Sequence, residues 1–93
     1  MGGGTVTPRS ESGSVLRPNV NQPLIVSADC LAGELVVGGG VRLDATVPTD
    51  LERTHLQQSG PTGSGWLGQV SATSRFSSGS TLTLTTTAYC LAP

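Results

Sequence analysis

The stretch STLTLTTTAYC, residues 80–90, alternates between apolar or small side chains and threonines. Successive side chains of a β-strand point to opposite faces, so this period of two predicts a strand with one buried face. We expect that buried face to carry Leu82, Leu84, Thr86, Ala88 and Cys90. The other face then presents Thr81, Thr83, Thr85, Thr87 and Tyr89, a threonine ladder typical of half-exposed strands.

Several other segments favour short strands. ELVV (34–37) is a short apolar run, VRLDATV (41–47) alternates strictly, and WLGQVSAT (66–73) is apolar on one face. LERTHLQQS (51–59) fits a strand better than a helical turn, and turn residues cluster in PTD (48–50) and GPTGSG (60–65). These signals predict an all-β fold, a small antiparallel β-sandwich of five to seven short strands.

The first part of the chain shows no such pattern. Residues 1–13 lack periodicity, and two prolines break the following segment into extended pieces. We therefore expect an extended N-terminal arm over residues 1–21 and a single sandwich domain over residues 22–93. Assembly contacts of this arm and of the strap that follows it are predicted at Val15, Leu16, Pro18 and Pro23.

A chain of 93 residues with one Trp, one Phe, one Tyr and one Met has a thin core. Proteins of this size bury only about 60–65% of their unfolded surface, so a disulfide, an oligomer or both must add stability. We expect Trp66, Leu82 and Leu84 to form the core. The alternative for Trp66 is a stacking platform for a sugar.

The charge balance excludes some classes of partner. The net charge is −1, and all five cations are Arg. Without a basic stripe, neither nucleic acid nor an anionic membrane is an expected partner. No apolar run reaches 18 residues, and the N-terminus has no apolar segment of the secretory type, so neither a membrane span nor a signal peptide is expected.

The two cysteines, Cys30 and Cys90, lie sixty residues apart near the ends of predicted strands. We predict that they form a disulfide; the alternative is two reduced, buried cysteines in a cytosolic protein. A structural zinc site needs about four ligands, whereas the chain has a single histidine, and no CxxC motif is present. No metal and no cofactor are predicted.

The triplet Gly38, Gly39 and Gly40 has two interpretations. A phosphate-binding loop of the P-loop type requires a lysine, which the chain lacks. We therefore predict a structural corner, where the strand changes direction or sheet. The glycines would permit positive φ, a bulge, or close approach of another backbone or of the Trp66 ring.

No motif indicates catalysis. The G-x-S-x-G nucleophile motif is absent, and His55 could be combined with Asp44 or Asp50 and any of the many serines, which makes such a match uninformative. The six acidic residues fall in turns or on exposed strand faces rather than as a pair flanking a cleft. We expect a protein that is not an enzyme.

Three segments together, DCLAGELVVGGG (29–40), PTGSGW (61–66) and TLTLTTTAYC (81–90), resemble a known pattern. It is found in small disulfide-stapled all-β domains of bacteriophage virion proteins and of bacterial surface or secreted proteins. The similarity covers about residues 28–91, with Leu31 where such domains often have Pro. The resemblance implies a non-catalytic β-sandwich used for display or assembly.

This resemblance leads to a functional expectation. We expect a capsid decoration protein of a bacteriophage, made in the host cytoplasm and carried on the extracellular virion. Its partners would be the major capsid protein or other virion subunits and further copies of itself, a homo-oligomer with a trimer favoured. Alternatives are a phage tail or fibre component, or a secreted carbohydrate- or surface-binding module with Trp66, Tyr89 and the 60–65 loop near the ligand.

Overall fold

The computed structural model describes residues 4–93, and nearly all of the regular structure in this part is β. Six strands follow in chain order: β1 (Val6–Leu16), β2 (Pro23–Asp29), β3 (Leu35–Ala45), β4 (Thr54–Pro61), β5 (Gly65–Ala72) and β6 (Thr81–Leu91). A 3-10 helix, η1 (Pro48–Arg53), connects β3 to β4. Among residues 4–93, no helix has the length and apolar character needed to cross a membrane.

The strands form two antiparallel sheets of three strands each, which confirms the predicted all-β class. Sheet A has the order β1-β6-β3, and sheet B has the order β2-β5-β4. Each sheet therefore has one central strand and two edge strands. The molecule is elongated, with principal extents of 54 × 20 × 17 Å.

Strand β6 is the centre of sheet A and has the predicted alternation. All five residues on its inner face have no exposed surface, whereas Tyr89 on the opposite face is 43% exposed. Buried polar groups require a hydrogen-bond partner. The hydroxyl of Thr86 satisfies this requirement by donating to the Val26 carbonyl at 2.9 Å, which links the two sheets.

The core consists of two clusters. The main cluster contains Val26, Val70, Ala72, Phe76, Leu82 and Leu84. The second contains Ala28, Ala88 and Cys90, with Cys30 and the half-buried Trp66 packed against it. Phe76 comes from the loop between β5 and β6, where Arg17 donates from Nε to its carbonyl at 3.1 Å. This loop therefore supplies the largest fully buried side chain of the described chain.

The N-terminal segment differs from the prediction of an extended arm. Residues 6–16 form β1, which pairs with β6 along its full length from Val6 opposite Leu91 to Leu16 opposite Thr81. The inner face of β1 is largely polar, with Arg9, Glu11 and Gly13 on it, so the segment has no apolar periodicity that would predict a strand. Residues 1–3 of the predicted arm lie outside the described residues.

The residues expected to make assembly contacts are also placed differently. Val15 is half-buried and packs against the main cluster, and Pro18 is fully buried, so both contribute to the core of this domain. Pro23 is the exposed first residue of β2. Leu16 is 67% exposed at the end of β1. Of the four, Leu16 and Pro23 are exposed, Val15 is half-buried, and Pro18 is inaccessible to a partner.

The glycine triplet is a site of close packing within one sheet. Strand β3 runs through it and stays in sheet A, so the predicted change of sheet does not occur. The register shifts between Val36 and Gly38, which is the expected bulge, and a Cβ on Gly39 would overlap the Trp66 ring. Gly40, in contrast, has open space around the position of a Cβ.

These surroundings predict different effects for two neighbouring alanine substitutions. Gly39→Ala should reduce the free energy of unfolding by about 1–3 kcal/mol, because the added methyl displaces the Trp66 ring. Gly40→Ala should change it by no more than about 0.5 kcal/mol. Equilibrium unfolding in urea measures both. Equal losses in the two variants would contradict the packing of Trp66 on Gly39.

Candidate interaction site at the disulfide end

The disulfide between Cys30 and Cys90 joins the two sheets at one end of the molecule, which confirms the predicted pairing. Cys30 directly follows β2 of sheet B, and Cys90 lies near the end of β6 of sheet A. Their Cα atoms are 5.6 Å apart. Because β6 is the central strand of sheet A, the bond holds sheet B to the strand that organises sheet A.

An ion pair lies beside the disulfide. Arg9 of β1 donates from Nε and Nη2 to the two carboxylate oxygens of Glu34, at 2.9 and 2.8 Å. The backbone N–H of Leu31 donates to the same carboxylate at 2.8 Å. Two-pronged Arg–carboxylate pairs fix orientation as well as charge. This pair therefore ties β1 to the turn that leads from Cys30 into β3.

The electrostatics of Glu34 follow from these contacts. Hydrogen bonding from Arg9, followed by that from the Leu31 N–H, lowers the pKa of Glu34 from its usual 4.5 to about 2, although burial acts in the opposite direction. The carboxylate stays ionised well into the acid range. The sequence does not predict this pair, because its members are 25 residues apart and no local pattern connects them.

The two sulfur atoms and the Glu34 carboxylate lie within 4.8 Å of one another. Cysteine binds a metal as the free thiolate. Here both sulfurs are bonded to each other, and the carboxylate is held by Arg9 and Leu31. These atoms therefore cross-link and stabilise this end of the fold.

The outer face of sheet A is apolar at this end. Four side chains that are 43–66% exposed lie together with the half-buried Leu91. Val6 of β1 and Leu35 of β3 both lie opposite Leu91, one on each side of β6. Tyr89 lies two residues before Leu91 on β6, and Val37 lies in the bulge beside Gly38. We call this surface the apolar end; its members are Val6, Leu35, Val37, Tyr89 and Leu91.

The rest of this face is polar and ordered by hydroxyl pairs. Ser10, Ser12 and Ser14 of β1 form hydrogen bonds to Thr87, Thr85 and Thr83 of β6, at 2.7, 2.9 and 2.9 Å. The predicted threonine ladder is thus present, with a serine ladder paired to it. Cross-strand hydroxyl pairs stabilise sheets modestly, and here they hold β1, which buries few apolar groups.

The side chains considered for other functions are dispersed. Trp66 lies on the inner face of sheet B against Gly39 and donates from Nε1 to Ser59 Oγ at 3.0 Å. Tyr89 is on the outer face of sheet A, so the two aromatic rings do not form one platform. His55 lies on β4 of sheet B, whereas Asp44 lies on β3 of sheet A.

Asp50 is a buried acid in η1, although its place in the PTD segment (48–50) predicts only a turn. It accepts hydrogen bonds from the N–H and hydroxyl of Ser77, both at 3.1 Å. Burial acts to raise the pKa of Asp50, but hydrogen bonding from Ser80 and Ser77, together with Arg53, lowers it overall. Asp50 therefore fixes the loop that carries Phe76.

Comparison of the chain with protein-family models, curated protein sequences and solved structures gives no significant match.

The Glu34 pair predicts a specific pH dependence of stability. A carboxyl whose pKa is lowered in the folded state stabilises the fold at pH values above the pKa that it has in the unfolded chain. This contribution is lost as the pH falls. The contribution should therefore be complete above about pH 4.5 and be lost as the pH falls through about 2. Glu34→Gln should show a smaller drop in unfolding free energy between pH 5 and pH 2, measured by urea denaturation.

Asp50 contributes to the acid sensitivity of both proteins, so the difference between them isolates Glu34. Arg9→Gln provides an independent check by NMR, because losing the guanidinium should raise the pKa of the Glu34 carboxyl. Identical pH profiles for the wild type and Glu34→Gln would contradict the assignment.

Proposed function

We propose that this chain is a non-enzymatic structural protein of a bacteriophage virion, a capsid decoration protein that binds the particle surface through the apolar end. The observation that carries the proposal is the contiguous exposure of Val6, Leu35, Val37 and Tyr89 around Leu91. Exposed apolar patches rimmed by polar residues mark interaction surfaces. The paired serine and threonine hydroxyls of β1 and β6 form such a polar border on the same sheet.

Two features support a mechanical role for this end. Directly under the apolar end lie the disulfide and the Arg9–Glu34 pair, which connect β1, β3, β6 and sheet B. Because the disulfide and the ion pair hold the strands beneath it, the apolar end keeps its shape when it binds. Less conformational entropy is therefore lost on association. This rigidity suits a subunit that is bound at many equivalent positions.

In this proposal the protein attaches to the particle through the apolar end and not through the N-terminal arm expected from the sequence. Because residues 6–16 form a strand of the sandwich, the particle contact is assigned to the exposed side chains of the apolar end rather than to a free arm. The resemblance of residues 28–91 to virion domains supports the setting. Copies of the chain also associate with each other on the particle.

Two substitutions of equally exposed leucines test the proposal. Leu35 is 66% exposed in the apolar end, and Leu16 is 67% exposed at the far end of the same face, about 34 Å away along the strands. The assay adds purified protein to particles that lack it and measures bound copies after sedimentation. Leu35→Asp should weaken binding at least about tenfold, the loss expected when a buried contact side chain of an interface is replaced.

Leu16→Asp is the matched control and should bind like the wild type. Both variants should keep the wild-type unfolding midpoint, since both side chains are exposed. Equal binding by the two variants would reject the apolar end as the contact surface. Binding to phage tails instead of capsids would identify the protein as a tail component. If the wild type binds neither tails nor capsids, the virion assignment is wrong.

A further inference from the structure

We infer that β3 pairs antiparallel with β3 of a second copy across a two-fold axis at Leu43, which extends sheet A into a continuous six-stranded sheet. The pairing deepens the proposed function, because it names the surface and register of the self-association contained in it, as a two-fold dimer in place of the trimer favoured from the resemblance. It depends on that function only for its biological setting. In solution, it is a property of the isolated chain.

The edge of β3 is the most available of the four sheet edges. Within the described residues, β3 pairs only with β6, and its register is regular from Gly38 to Ala45. An unpaired edge presents N–H and carbonyl groups to a further strand unless proline or a bulge interferes. Prolines lie in the other three edge strands, namely Pro8 in β1, Pro23 in β2 and Pro61 in β4, which also contains a bulge.

The charges on β3 are complementary to themselves. Arg42 and Asp44 lie on the outer face with side chains 78% and 51% exposed, and Arg42 Nε is 3.2 Å from Asp44 Oδ2. In an antiparallel pair centred on Leu43, Arg42 of each copy is opposite Asp44 of the other. Opposite charges across a strand pair are favourable, and like charges are unfavourable. The pair thus brings together four alternating charges.

This complementarity selects one register. Side chains alternate between faces, so only registers that keep outer residues opposite outer residues are compatible with two buried inner faces. Centring the pair on Arg42 places arginine opposite arginine, and centring it on Asp44 places aspartate opposite aspartate. Centring the pair on Val41 places Gly40 opposite Arg42 and Gly38 opposite Asp44, so neither charge has a charged partner. The Leu43 register is the one that matches opposite charges.

The inner face of β3 supports the same contact. Val41, Leu43 and Ala45 are only half-buried, and they pack at the rim of the main core cluster. In the Leu43 register, the two leucines face each other and Val41 faces Ala45, so the pair covers apolar surface that the single copy leaves open. The contact is short and smaller than a standard stable interface, which predicts a weak, concentration-dependent dimer.

Sedimentation equilibrium of the purified, oxidised protein tests the pairing. The wild type should shift from monomer to dimer as its concentration increases. Arg42→Asp or Asp44→Arg should each raise the dissociation constant by about tenfold or more, because each replaces two attractive cross-strand pairs with two repulsive ones. The double exchange Arg42→Asp/Asp44→Arg restores opposite charges and should restore dimerisation.

Mixing the two single variants gives the sharpest result. The Arg42→Asp chain has two acids and the Asp44→Arg chain two bases, so the mixture should form heterodimers although each variant alone stays monomeric. Leu35→Asp should dimerise like the wild type, which separates this contact from particle binding. A wild type that is monomeric at millimolar concentration or trimeric, or single variants that dimerise normally, would overturn the β3 pairing.

Discussion

The fold depends on the covalent link between its two sheets at the end where the fully buried side chains are small. The main core cluster lies towards the other half of the sandwich, whereas the cluster at the disulfide end consists of alanines, cystine and a half-buried tryptophan. Small alanine side chains bury little area, so hydrophobic burial alone stabilises this end weakly. The bond between Cys30 and Cys90 offsets this deficit, and it attaches sheet B to the central strand of sheet A.

The surface chemistry follows from that arrangement. With the two sheets fixed from within, the outer face of sheet A is free to carry apolar side chains at one end and paired hydroxyls along the rest. The Arg9–Glu34 pair adds a second tie at the same end, between the first strand and the turn after Cys30. A small chain can expose leucine, valine and tyrosine together in this way without rearranging to bury them.

Local patterns predicted the parts of the structure that depend on periodicity or on a unique residue type. The alternation in residues 81–90 predicted both faces of β6, and the two cysteines predicted the cross-link. The glycine triplet was expected to permit a bulge or a close approach of the Trp66 ring, and both occur, although the strand does not change sheet there. Strand β1 was not predicted, because hydroxyl pairs and a long-range ion pair hold it instead of an apolar stripe. The buried Asp50 and Phe76 also escaped prediction, since loop residues become buried only once the sheets define what lies beneath them. The apolar end required the sheet order, which brings β1, β3 and β6 together.

The most direct test of this account compares the oxidised protein with the double variant Cys30→Ser/Cys90→Ser in equilibrium urea unfolding. The disulfide closes a loop of sixty residues. Constraining such a loop in the unfolded chain contributes about 4 kcal/mol, a large share of the stability of a small domain. We predict a loss of that size, with the disulfide end losing amide protection from hydrogen exchange first. A variant within about 1 kcal/mol of the oxidised protein, with uniform protection, would contradict the central role of the cross-link.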